Sequence, residues 1–406
     1  MSGPLAKIRV LDLSRVLAGP WAAQNLADLG AEVIKIERPG TGDDTRSWGP
    51  PFIQGRDGNP TPEAAYFLCA NRGKKSVALN IATPAGQDIV RRLAAKSDIL
   101  LENYKAGDLA RYGLGYDDLK AVNPALIYCS ITGFGQSGPY RDRAGYDFMI
   151  QGLGGRMSIT GEPDDVPGGG PQKVGVAIAD LMTGMYATAA VLAALHERSR
   201  SGLGQHIDMA LFDVQLAFLA NQATNYFISG TVPQRLGNAH PNIVPYQTFR
   251  TRDGDIIVAV GNDRQFVKFC ELIGCPELAA DPRFATNTGR VTNRAQLISL
   301  IVPRMRARTS AEWAAALEAA DVPCGPINDI AQAFAEAQAV HRGARVEVAH
   351  PLGVNVALAA SPMKFSRTPV EHRTPPLLGQ HTEEVLGVLL GLSAAEVAAL
   401  RKNGIV

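Results

Sequence analysis

The chain has 406 residues, 46% of them hydrophobic and 19% charged, a globular composition that excludes a disordered or fibrous chain and leaves room for two domains. Its 40 Lys and Arg against 39 Asp and Glu leave a net charge of +1, so no global field draws it to nucleic acid or to an anionic membrane surface. Five cysteines without a CxxC pair argue against a disulfide framework and a structural zinc site, and fit a reducing, cytoplasmic setting. Residues 1–9 carry no basic stretch leading into an apolar run, so no signal peptide is expected. No window of about 18 apolar residues stands out, so no membrane span is expected either.

In chain order, 8–13 (IRVLDL) reads as a strand, 19–29 as a helix stopped by Gly30, and 32–36 as a second strand. Thr83 followed by Pro84 is an N-cap with proline at the first helical position, opening a helix to about Lys96. Further buried strands fall at 99–101 and 126–130. Strands separated by helices of this length predict parallel pairing with crossovers, hence a doubly wound sheet. The glycine-rich stretch 152–170 reads as loop and 174–178 as a short strand. After it come an Ala-rich helix over 181–195, a strand over 205–209 and one long helix over 211–227. Turn residues crowd 230–245 and mark a domain boundary. Beyond it the spacing predicts a strand over 256–260 and a helix over 265–273. A Thr309–Glu312 capping box opens a helix to about Ala320, and a Ser393–Glu396 box opens the last one. The region 340–372 is strand-like and punctuated by proline. These signals divide the chain into a large domain over 1–228, a linker over 229–245, a small α/β domain over 246–329 and a C-terminal segment over 330–406.

The chemistry is narrowed first by what is missing. No GxGxxG occupies the first turn, and GTG at 40–42 follows the second strand without a third glycine. Glu37 stands where a ribose-binding acid would, beside Arg38, which suits a phosphate. P-loop, HExxH and GxSxG motifs are absent, and the seven histidines lack ligand spacing, which points away from ATP, metal and serine-hydrolase chemistry. The informative segment is 175–195, GVAIADLMTGMYATAAVLAAL. There Asp180 closes an apolar run at the start of an apolar helix, with Ala177, Ala179 and Gly184 leaving room beside it. As an N-cap it is worth about 1 kcal/mol. As a carboxylate kept ionised by helix amides, it is a nucleophile for an acyl group. A second cluster, Glu102-Asn103-Tyr104-Lys105 and then Arg111, follows a buried strand, where open α/β sheets bind ligands. Arg38, Arg72, Lys74, Lys75 and Arg111 together suit a phosphate-rich ligand such as coenzyme A.

These segments resemble the class III CoA-transferases, which include formyl-CoA:oxalate and carnitine-related enzymes, and the related 2-methylacyl-CoA racemases. The resemblance rests on VLAGP (16–20), VIKIER (33–38), KKS (74–76) leading to Leu79, ENY (102–104), Arg111 and TGFGQSGP (132–139). VAIADLMTGM (176–185), GQHIDMAL (204–211), RLGNAHPNIVPYQTF (235–249) and LLGQHTEEVL (377–386) complete it. It implies a Rossmann-like large domain built from both chain ends, a small α/β domain, and two subunits interlinked like rings in a homodimer. It implies Asp180 as nucleophile, forming a mixed anhydride and then an aspartyl-CoA thioester. Leu17, Ala18, Arg38, Leu79, Asn103, Tyr104, Lys105, Arg111, Arg143 and Tyr146 are the implied CoA contacts, and Gly237, Asn238 and His240 the substrate loop. Ala144 stands where one family member carries lysine, and Gly-Asn-Ala-His at 237–240 replaces the glycine-only loop of the formyl-CoA enzyme.

The implied reaction passes CoA from an acyl-CoA donor to a free carboxylic acid, with no metal and no cofactor beyond CoA. MSITGEPD (157–164) and the 237–249 segment lean towards succinyl-CoA as donor and a dicarboxylate such as glutarate as acceptor. The alternative is a racemase using the same fold and aspartate. Racemases carry His before Asp in a segment like AGHD, where this chain reads Ala144-Gly145-Tyr146-Asp147; tyrosine, with a pKa of about 10, is a poor base at neutral pH. A non-catalytic CoA-binding protein is the third reading.

Overall fold

Six short strands lie side by side, all parallel, in a computed structural model that describes residues 3–406. They are β1 (Arg9–Asp12), β2 (Glu32–Glu37), β3 (Lys74–Ala78), β4 (Ile99–Glu102), β5 (Ile127–Thr132) and β6 (His206–Ala210). Their order across the sheet is β3-β2-β1-β4-β5-β6. That is the doubly wound arrangement the strand–helix alternation predicts, with a reversal of winding between β1 and β4.

Alternation along each strand sends neighbouring side chains to opposite faces, and both faces are covered. Val10, Val33, Ile99 and Ile127 pack under α1 (Ala18–Asp28) and α4 (Ile178–Ser201). Leu11, Ile34 and Leu100 pack under α2 (Pro84–Ala94), joined there by Val385 and Leu386 of the C-terminal helix α9 (Thr382–Leu390) and Val397 of α10 (Ala394–Lys402). Thr83 accepts from the Gly86 amide, and the Ser393–Glu396 capping box forms as the sequence predicts. Along the chain between α2 and α9 come also α3 (Asp147–Leu153), α5 (Leu211–Ala217), α6 (Ala220–Ser229), α7 (Asp263–Leu272) and α8 (Ser310–Ala319).

The chain folds as two units, each with its own core. The first holds the chain up to Gly154, Gly175–Phe218 and Ala337–Val406; the second holds Gly155–Val174 and Leu219–Glu336. The second unit has its own antiparallel sheet, ordered β9-β8-β7, of β7 (Tyr246–Arg250), β8 (Asp255–Ala259) and β9 (Cys324–Gly325). Phe249, Phe266, Phe269, Ile301 and Trp313 fill its core, and the Thr309–Glu312 box caps α8.

Several sequence expectations need correction. The 155–174 loop groups with the second unit, because its hydrogen bonds run forward in sequence: Gly237 N donates to Gly161 O (3.2 Å) and Arg235 Nε to Glu162 O (3.1 Å). Residues 174–177 are not a strand; the chain enters α4 at Ile178. The helix expected over 211–227 is two, α5 and α6, broken after Ala217, with Ala220 at φ +47° opening the second. Finally, the 24-residue α4 is long and apolar enough by length and composition to cross a membrane. Its Thr and Gly residues interrupt any unbroken apolar run, which hid it from a count of consecutive side chains. In the fold its buried stripe of Ala179, Thr183, Gly184, Ala187 and Val191 faces inward. A Cβ at Gly184 would stand 2.7 Å from Ala18 O, so glycine there lets α1 and α4 close on each other.

Candidate active site

Strand order reverses between β1 and β4, and the carboxyl ends of strands at such a reversal leave a crevice. A cavity of about 440 Å³ opens there, lined by residues following β1, β4 and β5 and by Asp180. The turn after β1 carries Val16 at φ +70°, a conformation a β-branched residue adopts only when its surroundings impose it. Here the constraints are visible. Arg15 N donates to Asn103 Oδ1 (2.8 Å) while Asn103 Nδ2 donates to Arg15 O (2.7 Å), tying the β1 turn to the β4 turn. The Val16 amide donates to the Asp43 carboxylate (3.2 Å), which also pairs with Lys35 (2.9 Å). Lys35 Nζ donates to Ser14 O (2.7 Å). Burial alone would raise Asp43, but the Lys35 ammonium and the Thr45 donors hold it down at about 2.

A smaller cavity of about 160 Å³ shares Arg15 and Tyr104 with the first and reaches Arg38, Leu79 and Tyr112. The Arg15 guanidinium lies 5.3 Å from the centre of the Tyr104 ring. The two cavities therefore flank one cation–aromatic pair, an arrangement suited to an extended ligand with a nucleotide at one end.

Asp180 is the third residue of α4, not its cap. The N-cap position is Ala177, which has no side-chain acceptor. The cap comes from α3: Asp147 Oδ1 accepts from Ala179 N (2.8 Å) and Asp180 N (3.4 Å). Among the described residues no hydrogen bond or ion pair holds the Asp180 carboxyl itself. Burial, and then the Asp147 charge, push it up to about 7. This reverses the expectation that helix amides keep it fully ionised, because those amides are spent on Asp147. Tyr66, on the helix Ala65–Cys69, senses the same charges: burial first, then Asp180, raise its phenol to about 12.

Of the residues singled out in the sequence, Leu17, Ala18, Asn103, Tyr104, Lys105, Arg111, Arg143, Tyr146 and Asp180 line the larger cavity, and Arg38 and Leu79 the smaller. The Arg143 guanidinium sits 4.4 Å from the Tyr140 ring centre; Arg111 is largely exposed and pairs with Asp108. Gly237, Asn238 and His240 belong to the second unit. Gly237 has φ +58°, and a Cβ there would stand 2.6 Å from the Glu162 carboxylate. His240 stacks on Tyr246 at 5.2 Å, and its Nδ1 accepts from Asn242 N (3.1 Å), leaving Nε2 as the donor. Burial, and then Arg294, lower its pKa.

Three cations of the proposed phosphate set are committed elsewhere. Arg72 is buried against Asp28 (2.6 Å), Lys74 against Asp12 (3.0 Å), and Lys75 bridges Glu32 and Glu384. Glu37 is likewise closed, accepting from Arg46 Nε (2.8 Å) and Ser76 Oγ (2.6 Å), so no ribose reaches its carboxylate unshared. Sequence reasoning passed over Arg15, Arg141 and Tyr66. Arg15 had a signal, its place directly before the VLAGP turn; Tyr66 had none. Among the described residues no three His, Cys, Asp or Glu side chains are grouped to hold a metal.

A family model described as CoA-transferase family III matches residues 5–382. A succinate–glutarate CoA-transferase of Agrobacterium fabrum is 51% identical over 387 residues, 95% of this chain and 96% of that protein. A succinyl-CoA:glutarate CoA-transferase of Mus musculus is 45% identical over 404 residues, 99% of this chain and 90% of that protein. Among solved structures, a CaiB/BaiF family protein from Brucella suis matches at TM-score 0.83 and 50% identity, covering 96% of this chain and all of that one. With the parallel sheet, the crevice at its winding reversal and the carboxyl at the start of α4, these likenesses agree: the chain belongs to CoA-transferase family III.

Proposed function

We propose that the protein passes coenzyme A from succinyl-CoA to glutarate, with Asp180 as the covalent carrier. The observation that carries this reading is the free Asp180 carboxyl in a cavity that shares Arg15 and Tyr104 with a second pocket that suits a nucleotide. The names of the relatives supply the donor and acceptor. In the first half-reaction an Asp180 oxygen attacks the thioester carbonyl carbon, the C–S bond breaks, and CoA leaves as thiolate. The thiolate then attacks the aspartyl carbonyl of the mixed anhydride; the C–O bond breaks, and succinate leaves with the electron pair. Glutarate reverses both steps. No proton is gained or lost, so the site needs no general acid.

Arg38 and Leu79 would hold the nucleotide end, and Arg111, Lys105 and Arg143 the phosphates, while Leu17, Ala18, Asn103 and Tyr146 guide the pantetheine arm. Gly237, Asn238 and His240 are proposed to shape the acceptor site. The reading requires no metal, no cofactor beyond CoA, and no nucleic-acid or membrane partner. The five unpaired cysteines suit a cytoplasmic protein. A homodimer of interlinked subunits is proposed as well; exposed Phe227 and Ile228 on α6 are the kind of side chain a second copy would cover. Sedimentation at nanomolar protein should then show a dimer and no active monomer.

The test is a panel of acyl-CoA donors against carboxylic acids, read by mass spectrometry. Succinyl-CoA with glutarate should give glutaryl-CoA with the highest kcat/KM. Absence of any acceptor-dependent exchange across the panel would end this reading.

A further inference from the structure

Asp147 takes no part in the bond changes just described, yet it holds the start of the nucleophile's helix. It opens α3, directly after the segment from Arg143 to Tyr146 that lines the cavity. Oδ1 accepts from the amides of Ala179 (2.8 Å) and Asp180 (3.4 Å), and Oδ2 accepts from Gln151 Nε2 (2.7 Å). All three partners are donors, the complement of an unprotonated carboxylate. Because α4 has no cap of its own, the direction of its first turn, and so the aim of Asp180, depends on this acceptor from another helix. The same contact sets a second carboxylate beside the first.

We propose that Asp147 is a positioning residue for the transfer reaction, capping α4 so that Asp180 faces the cavity and placing a negative charge that favours the acylated forms of Asp180. This rests on the reading of Asp180 as nucleophile. When the Asp180 oxygen bonds to the acyl carbon and sulfur departs with the electron pair, the aspartyl group changes from an anion to a neutral anhydride, and later to a neutral thioester. Each neutral form escapes repulsion from Asp147, whereas the reactive carboxylate form of the free enzyme must hold both charges. Repulsion between two close carboxylates acts on acylation as it acts on protonation: it favours whichever form is uncharged.

The other titratable groups around Asp180 do not cancel this effect. Tyr66, on the helix Ala65–Cys69, feels the Asp180 charge. Arg15, Lys105, Arg111 and Arg143 stand on the cavity wall. None of these cations pairs with Asp180; Arg15 pairs with Asp44 and Arg111 with Asp108.

The experiment compares wild type with Asp147→Asn, whose amide oxygen still caps α4 but carries no charge. Two quantities are read: the pH midpoint of kcat/KM for succinyl-CoA, and the fraction of enzyme held as aspartyl-CoA thioester at equilibrium, by intact mass after acid quench. Because only the carboxylate attacks, wild-type kcat/KM should fall as pH drops through about 7. In Asp147→Asn the midpoint should move down by about one pH unit, and the ratio of thioester to free enzyme should drop on the order of tenfold. KM for succinyl-CoA and the melting temperature should change little. Asp147→Glu, which restores the charge, should return the midpoint towards the wild-type value, and it serves as the deciding variant should the asparagine protein not fold. An unchanged midpoint and thioester fraction in Asp147→Asn, or a glutamate variant that behaves like an uncharged one, would overturn the proposal. Full activity in Asp180→Asn would instead overturn the reading of Asp180 and leave the capping geometry in place.

Discussion

Two groups of buried charge serve the same crevice, and they are built in opposite ways. Beneath the β1 turn every charge meets its opposite: Lys35 with Asp43, Lys74 with Asp12, Arg46 with both Glu37 and Glu63. At the start of α4 two carboxylates meet each other, and among the described residues no cation closes on Asp180. The matched set fixes shape. It clamps a strained valine at φ +70° on the cavity wall. At the unmatched pair, burial and then the Asp147 charge raise the pKa of one carboxyl to about 7. Buried groups with complete partners read as scaffold, and a group displaced from its ordinary pKa by an uncompensated neighbour reads as chemistry.

Removing the unmatched charge should have the largest effect. Asp180→Asn should lower transfer by at least about a thousandfold, as expected when a covalent nucleophile is lost, while CoA still binds. The same substitution should stabilise the fold. A carboxyl raised from 3.8 to about 7 weakens the native state progressively as pH rises between those values. With solvent screening part of the shift, Asp180→Asn should gain about 2 kcal/mol at pH 7.5 and almost nothing at pH 4. Thermal unfolding at the two pH values checks this; a destabilised variant at pH 7.5 would contradict it.

Breaking the matched set should do the reverse. Asp43→Ala strands Lys35 and frees the Val16 amide, at a cost of about 3–5 kcal/mol, measurable by denaturant titration. The pH slope also has the opposite sign. Asp43 is lowered from 3.8 to about 2, so its contribution is complete above about pH 4 and disappears as pH falls towards 2. The variant should lose that acid-limb slope.

Charge at the rim should matter less to the fold and more to substrate capture. Arg111→Glu should raise KM for acyl-CoA by ten- to a hundredfold, roughly the worth of one charge-assisted phosphate contact. Arg38→Glu should act more weakly, since an outer contact is screened by salt. Equal KM values in both variants and wild type would show that CoA runs elsewhere. The smallest expected effect is none: (S)-2-methylacyl-CoA in D2O should take up no α-deuterium, because transfer never breaks the α-C–H bond. Deuterium uptake at turnover rates would favour the racemase.

Much of the scaffold was legible from sequence because it is local. Strand and helix alternation announces the parallel sheet, and the boxes at Thr309 and Ser393 form as written. The place of Asp180 at the start of an apolar helix was legible too. Its electrostatics were not, because they depend on Asp147, 33 residues away, and on a helix that starts after the apolar run taken for a strand. Arg72 and Lys74 read as cations for a phosphate-rich ligand for the same reason. Their partners Asp28 and Asp12 lie 44 and 62 residues upstream, and no nearby pattern signals such pairing.

Asp180 is proposed to carry the acyl group and CoA in turn. Wild-type enzyme should be incubated with succinyl-CoA alone, quenched in acid, digested and mapped by mass spectrometry, with a parallel sample trapped by hydroxylamine. The expected result is CoA mass on the peptide containing Asp180, hydroxamate at Asp180 alone in the trapped sample, and discharge of the adduct by glutarate with glutaryl-CoA formed in equal amount. An enzyme that turns over donor and acceptor while Asp180 stays unmodified, or an adduct on another residue that glutarate discharges, would contradict it.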